Sequence, residues 1–136
     1  MSSLQSHSKS RNSDIHGLAA ISLDLDISHA KETISYIKRL KRPKDWGYNN
    51  TFAAECIGDC MEEYAEALVD LRRATDAFRR NSYHTVNILV AGAMTGSDSC
   101  ESGFSDQPGF HSPMTERNEY FFKLCSNTIA ITNLLV

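Results

Sequence analysis

The chain has 136 residues, 41% of them apolar and 23% charged, with a formal net charge of -3. That length holds one domain with a real core, and the ordinary composition excludes wholesale disorder. The acidic balance excludes a general binder of nucleic-acid backbones, no apolar run approaches the roughly 20 residues of a membrane span, and the Ser-rich start lacks the apolar centre of a secretory signal.

Residues 1–12 read as a polar, flexible leader and residues 13–136 as the folded domain. Ser13 is placed to cap a first helix, with Asp14 in its first turn. Ala20, Leu23, Ile27, Ala30, Ile34 and Ile37 recur at steps of three and four, which predicts one apolar helix face running to Leu40. Gly17 weakens the first turn slightly. Residues 41–50, with Pro43 and Gly47, break the pattern and read as a connection.

A second helix is predicted from Ala53, Ile57, Cys60, Tyr64, Ala67, Leu71, Ala74 and Phe78, an unbroken alternation of fours and threes. Asn81-Ser82 supplies a stop and a new cap. The third helix follows from Tyr83, Val86, Val90, Ala93, Ser97 and Cys100. Its Gly92 and Gly96 each cost about 1 kcal/mol relative to Ala, so either a close neighbour or compensating packing is expected there. Glu101 to His111 reads as a loop, and Ser112-Pro113 as a cap followed by a proline at the first helical position. Arg117, Phe121, Leu124, Thr128, Ile131 and Leu135 mark a fourth helix. Four amphipathic helices joined by three loops predict an all-α, up-and-down four-helix bundle.

No nucleophile elbow, phosphate-binding glycine loop or Cys/His constellation is present, so an enzyme is not expected. The five histidines never pair at metal-binding spacing, Cys56 and Cys60 lack a matching second pair, and no cofactor or metal is expected. Charge is the unusual feature. From Asp45 to Leu71 there is no Lys or Arg, and Glu55, Asp59, Glu62, Glu66 and Asp70 share one face of the second helix. Like charges at this spacing cost roughly 0.2–0.5 kcal/mol per pair. Two readings follow: a solvated face, or an acidic docking face for a basic partner.

Four cysteines allow three full pairings. Cys60 lies near the start of the second helix and Cys100 at the end of the third, which an antiparallel hairpin can bring together; such a bridge closes about forty residues and contributes roughly 4 kcal/mol. Cys56 and Cys60 point in parallel from one helix face and suit a bridge poorly. Cys125, beside the fourth stripe, reads as a buried free thiol. A Cys60–Cys100 bridge implies an oxidising compartment, with which the Asn49-Asn50-Thr51 sequon agrees.

The string Asp59-Cys60-Met61-Glu62-Glu63-Tyr64-Ala65-Glu66-Ala67 resembles the D-C-x-E-x-Y-x-x-A signature of plant invertase and pectin methylesterase inhibitors. Ala91-Gly92-Ala93-Met94 through Ser99-Cys100-Glu101-Ser102-Gly103-Phe104 is similar to that family's S-A-A-x…T-C-E-D-G-F segment. Residues 126–135 resemble its closing S-N-x-L-A-I-x-x-L-L helix, and Leu18 to Leu23 its first bundle helix. The resemblance covers Ser3 to Val136 and implies a secreted, extracellular four-helix bundle that occupies the substrate cleft of a cell-wall carbohydrate enzyme, with Cys60 and Cys100 bridged. The family's signal peptide and leading helical hairpin have no counterpart here, so the domain is expected to be truncated at its N-terminus. Since many pectin methylesterases carry this bundle ahead of a catalytic domain, the end at Val136 favours a free-standing protein.

Within this family, invertase inhibitors carry Pro-Lys-Phe before the third bundle helix, where this chain has Asn81-Ser82-Tyr83. Pectin methylesterase inhibitors pack the second and third helices against the esterase, through positions that correspond here to Glu62, Glu66, Ser82, Ser99 and Ser102. Ser82 and Ser102 stand where acidic residues are usual. The resemblance therefore implies a monomeric inhibitor binding pectin methylesterase one-to-one, with acid invertase as the alternative target and a non-inhibitory, allergen-like bundle as a third reading.

Overall fold

The computed structural model describes residues 3–40 and 51–136, with side chains from Ser10 onward. The expected connection over 41–50 lies outside the described residues, as does most of the sequon. Four helices follow: α1 (Ser3–Leu40), α2 (Thr51–Arg79), α3 (Tyr83–Phe104) and α4 (Thr115–Asn133). Each packs on its neighbours in sequence and α1 also packs on α4, which closes the ring of an up-and-down bundle.

Helix α1 passes through Ser13 without interruption and begins at Ser3, so Ser13 is not its cap. No proline lies between residues 3 and 40, and Ser or Asn in a helix costs only tenths of a kcal/mol. A capping residue permits a helix start; it does not compel one. The buried line of α1 is also rotated from the predicted stripe. Ala19, Leu23, Ala30 and Ile37 are buried together with Ser22, Asp26 and Thr33, while Ala20, Ile27 and Ile34 are only half-buried. Apolar periodicity could not see this line because three of its members are polar.

In α2 the predicted residues Ala53, Ile57, Cys60, Tyr64, Ala67, Leu71, Ala74 and Phe78 are all buried. The chain then reverses tightly. Asn81 adopts a left-handed conformation (φ 59°), the Ser82 N–H donates to the Ala77 carbonyl at 2.9 Å, and the Asn81 N–H to the Phe78 carbonyl at 3.0 Å. This double closure is the Schellman motif, in which Asn substitutes for the usual Gly. Ser82 occupies the cap position of α3, but its hydroxyl makes no capping hydrogen bond.

The expected loop at Glu101 starts later, because α3 continues to Phe104. Glu101 reaches across to α4 instead. Its carboxylate accepts hydrogen bonds from Ser112 Oγ (3.1 Å), Thr115 Oγ1 (2.6 Å) and Asn118 Nδ2 (2.8 Å). Pro113 is not the first helical residue: α4 begins at Thr115, and Ser112 Oγ accepts the Met114 N–H at 3.0 Å in a turn ahead of it. The buried line of α4 is Asn118, Phe121, Cys125, Thr128 and Thr132, so Arg117, Leu124, Ile131 and Leu135 flank the core. Asn118 sits inside because it is fully engaged, accepting the Tyr64 hydroxyl at 2.7 Å while donating to Glu101.

Candidate functional site

Helices α2 and α3 form the most tightly tied pair in the bundle. Cys60 and Cys100 are joined by a buried disulfide with Cα atoms 4.7 Å apart. The bridge sets an antiparallel register that the glycines maintain. A Cβ on Gly96 would lie 3.2 Å from Glu63 Oε2 and 3.3 Å from the Glu63 carbonyl oxygen, and one on Gly92 would lie 3.3 Å from Asp70 Oδ2. Of the two expectations at these costly glycines, close neighbours are the one met. Without side chains of its own at Gly92 and Gly96, α3 presents a low ridge beside the acidic ridge of α2.

Glu55, Asp59, Glu62 and Glu66 are all exposed on that ridge. None of them takes part in an ion pair among the described residues; Asp70 alone has a basic neighbour, Arg73 at 3.8 Å. The crowding registers at Glu63, whose carboxyl is held above the usual range, first by partial burial and then by the charges of Glu66, Asp59 and Glu62. On α3, Ser99 and Ser102 are exposed. The disulfide register places Ser99 within one residue of the level of Glu62 and Thr95 within one residue of the level of Glu66. Four of the five expected contact residues therefore share one end of one face. Ser82 stands apart: it is half-buried at the α2–α3 turn, seventeen residues before Ser99, or about 25 Å along the helix axis.

The sequence reading did not single out Val69 and Ile88, which are 56% and 60% exposed on this same side of α2 and α3. The available signal was that each is a β-branched apolar residue lying off its helix's buried stripe. In the disulfide register both lie beyond Glu66 toward the α2–α3 turn, so they add apolar surface at one end of the acidic ridge.

Nothing on this face has the arrangement of a catalytic centre. Among the described residues no group of three or more His, Cys, Asp or Glu is placed to hold a metal ion, and no helix is long and apolar enough to cross a membrane. Cys56 and Cys125 are buried free thiols. Burial pushes both thiols up, with Asp59, Asp106 and Glu55 adding to the effect at Cys56 and Asp26 at Cys125, so neither is a nucleophile at neutral pH. What the face offers is a rigid, mostly negative surface of two clamped helices.

Comparison with known proteins agrees with that character. Residues 1–131 match the family model described as plant invertase/pectin methylesterase inhibitor. A protein of Platanus acerifolia provisionally named an invertase inhibitor is 31% identical over 133 residues, covering 98% of this chain and 72% of the relative. A pectinesterase inhibitor of Actinidia deliciosa is 28% identical over 139 residues, covering 99% and 71%. The crystal structure of a pectin methylesterase inhibitor from Arabidopsis thaliana superposes with a TM-score of 0.78 over 90% of this chain and 78% of that chain, at 21% identity, a likeness of fold.

Proposed function

The chain belongs to the plant invertase/pectin methylesterase inhibitor family, and from that membership we propose that it inhibits a pectin methylesterase, one-to-one, by seating its α2–α3 face over the substrate cleft. Proteins of this family are enzyme inhibitors and not enzymes themselves. The observation that carries the reading is the acidic ridge of Glu55, Asp59, Glu62 and Glu66, without ion-pair partners among the described residues, on a helix pair held rigid by the Cys60–Cys100 bridge and the Gly92 and Gly96 contacts. Such a surface suits a basic rim around a cleft: charge steers association, and pre-ordered helices limit the entropy lost on docking. Glu62, Glu66, Ser99 and Ser102 form the central contact, and Ser82 extends it toward the α2–α3 turn. The four helices α1 to α4 constitute the inhibitory bundle, which acts outside the cell.

Acid invertase is the second reading, favoured by the somewhat higher identity to the Platanus proteins. Against it, residues 81–83 are Asn-Ser-Tyr, with no cationic side chain for an acidic glycosidase site. Titrating the protein against a pectin methylesterase and an acid invertase in parallel separates the two. The expected result is esterase inhibition saturating at equimolar inhibitor. Glu62→Lys with Glu66→Lys should weaken it by roughly tenfold or more while the thermal melt stays in place. Inhibition of invertase alone would reverse the assignment, and no effect on either enzyme would remove it.

A further inference from the structure

We propose that the outer face formed by α1 and α4, on the side of the bundle opposite the acidic ridge, is a self-association surface covered by a second, antiparallel copy of this chain. Leu18, Ile21 and Leu25 follow one another at steps of three and four and are 55%, 58% and 51% exposed. Their direction is fixed by what the rest of α1 touches. His16 stacks on Phe78 of α2, whereas His29 Nε2 and the Tyr36 hydroxyl reach the Arg117 and Pro113 carbonyl oxygens beside and ahead of α4. The stripe points away from α2 and so lies on the surface that α1 shares with α4. There α4 contributes Tyr120, 55% exposed, with Leu124 and Ile131 half-buried. The contact of Ser22 with Thr128 sets the register and brings Leu25 level with Leu124. Contiguous apolar surface of this kind marks an interaction site.

Charge selects the occupant. Arg11 and Glu32 are exposed near the two ends of the stripe, seven residues from Leu18 and Leu25 respectively, and the exposed Asp14 lies on the same line between Arg11 and Leu18. Antiparallel pairing about a twofold axis between Ile21 and Ser22 sets Leu18 beside Leu25 of the second copy and Arg11 across from Glu32 of the second copy. Parallel pairing would oppose Arg11 to Arg11 and Glu32 to Glu32. The Arg11–Glu32 pairing therefore favours the antiparallel orientation, that of an isologous dimer, with Asp14 facing Ser28 and His29 of the second copy. The apolar area is modest, which puts the dimer in the weak, transient class. Both acidic faces point outward from such a dimer and remain open; this inference does not depend on what those faces bind.

Sedimentation equilibrium of the 136-residue chain, from about 5 µM to about 1 mM, tests it. The weight-average mass should rise from one chain toward two, with half-association at on the order of 100 µM. Ile21→Glu should hold the protein monomeric across the range while its circular dichroism matches wild type. Arg11→Glu should weaken association several-fold, and Arg11→Glu combined with Glu32→Arg should restore it. A mass of one chain throughout, growth beyond two chains, a dimer indifferent to Ile21→Glu, or a charge swap that fails to restore association would each overturn the proposal.

Discussion

Asp26 lies in the contact between α1 and α4 with no exposed surface. Its Oδ2 is 2.6 Å from Thr128 Oγ1, and its Oδ1 has no partner among the described residues. The Thr128 hydroxyl has one proton, yet it sits 2.6 Å from Asp26, 3.0 Å from the Leu124 carbonyl and 2.5 Å from Ser22 Oγ. A neutral Asp26 resolves the count: the acid and Ser22 donate to Thr128, and Thr128 donates to Leu124. Burial raises the Asp26 carboxyl from 3.8 to about 7, against the smaller lowering by the Thr128 hydrogen bond. Below the unfolded value both states are protonated. Between 3.8 and about 7 only the folded state holds the proton, so stability falls as pH rises, by about 1.4 kcal/mol per unit, and the loss is complete above the folded value. Some three units correspond to about 4 kcal/mol in all, of which about 3 kcal/mol falls between pH 4.5 and 7.5. For a domain of this size that is a drop in melting temperature of roughly 10 °C. His29 works in the opposite sense: burial lowers its folded pKa, so its contribution is lost as pH falls below the unfolded histidine value. Comparison with Asp26→Asn isolates the carboxyl, since the Asn Nδ2–H can donate to Thr128 as the neutral acid does and the amide cannot ionise. Thermal melts of both proteins at pH 4.5 and 7.5 should agree at the lower pH, with the variant more stable by about 3 kcal/mol at the higher. A variant with the wild-type pH slope would refute the buried, neutral acid.

Three further outcomes follow from the α2–α3 pair and from α1. Replacing Cys60 and Cys100 together by Ser should lower stability by roughly 4 kcal/mol in urea unfolding, because the bridge closes a loop of 40 residues in the unfolded chain. Gly96→Ala should destabilise by about 1 kcal/mol despite the better helix propensity, since its Cβ would press on the Glu63 carbonyl oxygen as well as on the side chain. Gly17→Ala, where nothing lies within 4 Å, should instead stabilise by up to about 1 kcal/mol; opposite signs in paired thermal melts are the check.

Helix number, order and the buried face of α2 were legible because they rest on periodicity, which survives wherever the core is apolar. The disulfide was legible as well: hairpin geometry and family resemblance both pointed to Cys60 and Cys100, and the bridge is present. The acidic ridge could be counted directly from charges at helical spacing. Local signals at helix ends fared less well. Ser13, Ser82 and Ser112-Pro113 all carry capping chemistry, yet α1 runs past the first, the second makes no side-chain cap, and the third shapes a turn ahead of α4. A short polar side chain offers a hydrogen bond, but whether the backbone takes it depends on what the adjoining turns pack against.

What this sequence determines by itself is the set of four amphipathic rods, their order, and a band of negative charge on the second. The tertiary structure alone decides which side of α1 and of α4 is inside. Ser22, Asp26, Thr33, Asn118 and Thr128 are buried while Leu18, Ile21 and Leu25 stay in water, an inversion that no hydropathy count anticipates. For Asp26 and Asn118 the physical reason is that a polar group enters a core where another helix offers it a hydrogen bond, as Thr128 does for Asp26 and Glu101 for Asn118. That partner is over a hundred residues away for Asp26 and seventeen for Asn118, and it becomes a neighbour only when the bundle closes.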